Sequence, residues 1–140
     1  MSLKNAIHRY WGNTQSLTSV VDIDNVITGK VPDDLIVRPF VVISDAYDSM
    51  HDTSDVIVQE HTVTFSVTAD SDETVETVIQ TVEREFDDTN SKPRMHLDGG
   101  EELIAAYPLS ASVDEPEPGT WTGVVTFRFL VGTLVEAPTT

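Results

Sequence analysis

"EHTVTFSVTADSDETVETVIQTVEREF", residues Glu60 to Phe86, changes its hydrophobic period once, and that change decides the fold. From His61 to Ala69 the alternation is strict: His61, Val63, Phe65, Val67 and Ala69 lie on one side of an extended chain, Thr62, Thr64, Ser66 and Thr68 on the other. Period two with one apolar face describes a strand in a sheet packed on one side and open to water or a partner on the other. After Asp70 the period lengthens, and Val75, Val78, Ile79, Val82 and Phe86 trace one face of a helix ending near Asp87-Asp88. Asp70 followed by Glu73 has the spacing of a capping box, which predicts the helix start. The helix is expected to fold back on Val63, Phe65 and Val67.

Working outward, "RPFVVISDAY" (Arg38 to Tyr47) is a β-branched and aromatic run with Pro39 at its entry, where a missing N–H does least damage. It predicts a strand antiparallel to Val56–Ala69, joined by the acidic loop Asp48 to Asp55. Leu3, Ala6, Ile7, Tyr10 and Trp11 repeat at helical spacing and stop at Gly12-Asn13. Residues 14 to 35 read as a long irregular connection with room for a helical turn around Gln15 to Val21. Beyond the central helix, Thr89 to Glu102 reads as a loop, Leu103 to Ser110 as a strand and "VDEPEPGTW" as a reversal. Trp121 to Val131 then reads as the closing strand, with Val125, Phe127, Phe129 and Val131 on one face and Val124, Thr126, Arg128 and Leu130 on the other. The sum is an α+β domain over residues 1–134, α-β-β-α-β-β, in which a mainly antiparallel four-stranded sheet carries two helices on one face. Residues 135–140 are expected to form a flexible tail.

The chain has 24 acidic against 8 basic residues, a formal charge of −16 at pH 7. Such a surface repels nucleic acid and anionic lipid. Lysine occurs only at positions 4, 30 and 92, beside abundant Thr, Val and Asp. That pattern fits a protein from a halophilic host, where concentrated salt screens repulsion over about 3 Å; an ordinary acidic, very soluble protein shares it. Zero cysteines exclude disulfides, thiolate zinc sites and cysteine nucleophiles. No run approaches the roughly 18 apolar residues of a membrane helix, and the N-terminus lacks a basic-then-apolar signal segment, so a soluble protein without membrane contact is expected.

Catalytic and metal-binding patterns are weak. His61 stands in register with Val63 and Phe65, which favours a hydrogen-bonded residue at the sheet margin over a ligand. "MHLD" (Met95 to Asp98) and "DSMHD" (Asp48 to Asp52) put carboxylates near imidazoles without the spacing of a zinc or calcium motif. Asp22, Asp24, Asp33 and Asp34 are close pairs that so acidic a chain produces by chance, and Asp98-Gly99-Gly100 marks a turn. No Gly-x-Ser-x-Gly elbow, P-loop or basic-aromatic patch occurs. Neither an enzyme nor a cofactor or metal is expected.

With that order of elements, the chain resembles the small tail-terminator, or head-to-tail joining, proteins of long-tailed double-stranded DNA viruses. The likeness rests on the N-terminal helix, "RPFVVIS", the strand-into-helix segment quoted above and the closing "WTGVVTFRFLV". It implies a homo-oligomeric ring, usually a hexamer, at the neck of the virion, assembled in the host cytoplasm. Its partners are the tail tube protein on one side and the head connector on the other, with DNA passing through the lumen without specific binding. A cyclic ring needs two different surfaces of one subunit to fit each other. The hydroxyl face Thr62, Thr64, Ser66 and Thr68, with Arg128, is one candidate interface, and an unpaired strand edge another. Asp45, Asp48, Asp52 and Asp55 in one loop, and Asp98, Glu101 and Glu102 in the other, are expected to face tube, connector or lumen. A head-completion or stopper protein of the same virion, or a small cytoplasmic protein-binding module, fits the same residues.

Overall fold

The computed structural model describes residues 3–31, 37–52, 56–87, 95–97 and 100–134. Helices α1 (Leu3–Gly12) and α2 (Gln15–Thr18) and a 3-10 turn (Ile23–Asn25) precede the strands β1 (Val26–Ile27), β2 (Phe40–Asp52) and β3 (Val56–Ala69). Helix α3 (Asp72–Phe86) and the strands β4 (Glu101–Glu117) and β5 (Thr120–Leu134) follow. The sheet runs β1-β2-β3-β5-β4, with β1 parallel to β2 and every other pair antiparallel.

The α+β class and the helical layer on one face stand, while the expected sheet needs three corrections. It has five strands, because Val26 and Ile27 pair with Val41 and Val42 inside the stretch expected to be irregular. Two residues are too few to carry a period, so only their pairing defines them. Second, β2 continues through Asp52, which turns most of the expected Asp48–Asp55 loop into strand. Third, β4 extends from Glu101 to Glu117, so the expected reversal contracts to Pro118-Gly119. Both extensions are mostly polar, and backbone pairing with a neighbouring strand holds them extended. An alternation signal requires one buried face, and from Leu109 to Glu117 every side chain of β4 is exposed.

The start of α3 also differs. Ser71 caps it, its Oγ accepting from the Thr74 amide at 3.2 Å. Asp70 instead pairs with Arg38 at 3.0 Å. The face Val75, Val78, Ile79, Val82 and Phe86 is buried as its spacing predicts, each side chain contributing about 1.5–3 kcal/mol before entropy is subtracted.

Phe86 sits where the layers meet. Its ring centroid lies 5.3 Å from Tyr10 and 6.4 Å from Trp11 of α1, 5.2 Å from Phe65 of β3, and 6.4 and 6.3 Å from Phe127 and Phe129 of β5. Trp11 is fully buried, and its indole N–H donates to the Val21 carbonyl at 3.0 Å, tying the connection after α1 to the core. Gly123 lets α3 approach β5. A methyl group there would overlap Val75 and come within 2.5 Å of Ile79 Cδ1.

Candidate interaction surface

Antiparallel register aligns residues of β2, β3, β5 and β4 in rows, and the face turned away from the helices can be read row by row. Its middle row is Ser44, Thr64, Thr126 and Ser110, one hydroxyl from each strand. Toward the Phe40 end of β2 comes Val42, Ser66, Val124 and Ser112, and toward its Asp52 end Ala46, Thr62, Arg128 and Tyr107. Thr62, Thr64, Ser66 and Thr68 thus lie on the open face, half-buried by their neighbours, as the alternation of β3 predicts. What single-strand reading missed is the continuation of the hydroxyl band. Thr126 was visible in its own alternation, and "LSAS" (Leu109 to Ser112) puts two serines at period two, but only cross-strand pairing lines them up.

Arg128 is the one cation on this face among the described residues, and it is held. Its Nη1 donates to Glu60 Oε2 at 3.1 Å, and its Nη2 lies 3.9 Å from Asp48 Oδ2. Asp48 also accepts a hydrogen bond from the Thr62 hydroxyl. It reaches both because it is the extra residue of a β-bulge: Tyr47 faces His61, Ser49 faces Glu60, and Asp48 has no opposite number. The cluster carries two carboxylates against one guanidinium, so Arg128 offers no free positive charge.

The expected acidic loops are placed differently. Asp45 is on the helix side of β2, only 16% exposed, with its Oδ1 2.9 Å from His61 Nδ1. A carboxylate only accepts, so the imidazole nitrogen facing it carries the proton. His61 is therefore hydrogen-bonded as expected, but it lies inside the central strand between Tyr47 and Phe129 rather than at the sheet margin, and Asp45 is its partner rather than a loop residue. Asp52, Glu101 and Glu102 belong to strands, where Asp52 and Glu101 occupy the last row at one end of the sheet. Asp114, Glu115 and Glu117 crowd the other end. Asp55, Asp98, Asp33 and Asp34 lie outside the described residues. Asp22 caps the 3-10 turn, accepting from the Asp24 amide at 3.0 Å, and the His96 carbonyl accepts from Arg9 at 3.1 Å.

An open groove of about 550 Å³ runs beside the start of β4, lined by Met95, His96, Leu97, Glu101, Glu102 and Ile104 among others. Among the described residues, no three His, Asp or Glu side chains converge to hold a metal ion.

No family model and no curated protein matches this sequence. The fold, by contrast, is shared. Over 94% of its length the chain superposes on 95% of a chain from the virion of a native gene transfer agent particle, with a TM-score of 0.76 at 17% identity.

Proposed function

We propose that this chain is a structural protein of a virion, that its copies close into a ring of about six subunits, and that the ring ends the tail tube and joins it to the head connector. The observation that carries the reading is the four-strand hydroxyl face, on a fold shared with a chain of a virion particle. A ring of this kind works by binding and shape, with no catalytic step and no cofactor. If the hydroxyl face lines the lumen, DNA meets serines and threonines. The guanidinium of Arg128 is already engaged by Glu60, so it displaces few counterions from phosphate and DNA slides without being gripped. Acidic residues at both ends of the strands then form the two rims, where tube and connector would dock.

The test is to mix the purified chain with tail tube protein and image the mixture by negative-stain microscopy. Rings capping tube ends support the reading. A chain that stays monomeric and ignores the tube overturns it in favour of a protein-binding module. In a parallel mixture with head connector protein, rings that bind the connector but not the tube favour a head-completion role.

A further inference from the structure

We infer that neighbouring copies join edge to edge, the outer edge of β2 from Ile43 to Tyr47 taking as an added antiparallel strand the segment Leu109 to Val113 of β4 from the next copy. The inference rests on the proposed ring and specifies its junction.

Strand direction is the first argument. The four long strands alternate β2 up, β3 down, β5 up and β4 down. Rotation about an axis roughly along the strands keeps every strand's direction, so β4 of one copy, pointing down, meets β2 of the next, pointing up. An even number of alternating strands lets a head-to-tail junction continue the antiparallel pattern without a break. A two-fold β4-to-β4 pairing closes after two copies and cannot build a ring.

The second argument is that both edges are open over matching lengths. On β2, β1 covers only Val41 and Val42; among the described residues no strand pairs with the outer edge from Ile43 onward, and Ser44, Ala46 and Tyr47 are exposed. On β4, pairing is regular from Ser110 to Asp114, between a bulge at Leu109 and an irregularity before Glu117. Each edge thus offers the outward-pointing backbone groups of about five residues. Neither stretch contains the lysine or proline that commonly protects such an edge.

Third, both edges carry large apolar side chains in water. Tyr47 is 54% exposed on β2, against Leu109 at 48% and Val113 at 39% on β4. Joining the edges in the register below sets Tyr47 opposite Leu109 and Val113 opposite Ile43. Parity fixes the register to even offsets, since the hydroxyl face must stay continuous. Ser112 opposite Ser44, with Ser110 opposite Ala46, satisfies it and ends the added strand where β1 begins.

A chain without cysteine makes the test clean. Ser44→Cys with Ser112→Cys places thiols on opposite sides of the junction at two exposed positions. Oxidation in the presence of tail tube protein is expected to give a disulfide ladder that ends at a closed species, while each single variant stays uncrosslinked. Ala46→Cys with Ser110→Cys should behave alike, and Ser44→Cys with Val113→Cys, on opposite faces, should not crosslink. Rings in micrographs of the same sample without crosslinks would overturn the junction and leave the ring standing. Dimers from Ser112→Cys alone would show two-fold pairing and overturn it. If micrographs show no oligomer with or without tube protein, the ring reading itself falls and the junction with it.

Discussion

His61 and Asp45 stand on adjacent strands, two rows apart in register, with Nδ1 and Oδ1 2.9 Å apart and side chains only 11% and 16% exposed. Tyr47 packs edge-on against the imidazole at 5.6 Å, and Gln59 Oε1 lies 3.3 Å from its other nitrogen. The pair therefore locks β2 to β3 on the helix side. Asp45→Ala strands a largely buried imidazole nitrogen and is expected to cost about 1–3 kcal/mol. Asp45→Asn keeps an acceptor and should cost less. Urea denaturation of the two variants checks the ranking; equal losses would mean that the negative charge of the carboxylate, which asparagine lacks, carries the whole interaction.

Phe86 joins α1, α3 and the sheet through five ring contacts. Truncation to alanine leaves a cavity bounded by three elements that cannot all move inward, so a loss of about 3–5 kcal/mol is expected. Phe86→Leu should recover much of it. Thermal unfolding followed by near-ultraviolet circular dichroism reads both stability and the packing of the remaining rings.

At Gly123 the prediction has the opposite sign from the usual benefit of adding a side chain to a strand. The nearest obstacle is Val75, a stiff β-branched side chain on the helix. Gly123→Ala should destabilise by about 1–3 kcal/mol through overpacking, and a second change, Val75→Ala, should restore part of the loss. The double-mutant cycle measures that coupling directly.

On the open face, Arg128→Gln removes the cation between Glu60 and Asp48. The side chains are about a quarter to a third exposed, so the expected loss is only about 1 kcal/mol at low salt. Raising the salt to about 1 M should shrink it, because screening relieves the repulsion left between the carboxylates. A loss independent of salt would point to packing by the aliphatic stem instead.

Thr64→Arg places a long cation in the middle hydroxyl row without touching the helical core. Its folding stability should stay within about 0.5 kcal/mol of the parent, as for most surface substitutions. Under the proposed function, however, tail joining should fail. Normal ring formation and joining by this variant would return the face to plain solvent.

Burial periodicity made much of this architecture legible. Both long helices, the β3-into-α3 segment and the inward faces of β3 and β5 followed from which side chains must leave water. Where burial imposes no pattern the sequence carries no signal: β1 is two residues long, the outer half of β4 is exposed throughout, and the end of β2 has a loop's composition. The interaction surface divided the same way. The hydroxyls of β3 are visible as the polar half of an alternation, whereas an acidic residue such as Asp45 reads as solvated until its buried partner His61 is known.

Sequence alone therefore determined the fold class and the existence of an open Thr/Ser face, since both depend on periods within one segment. The tertiary structure decided how that face extends across four strands, which carboxylates are engaged, and which edges are left unpaired. Those properties arise from register and strand order, which join residues tens of positions apart through backbone hydrogen bonds that leave little trace in side-chain composition.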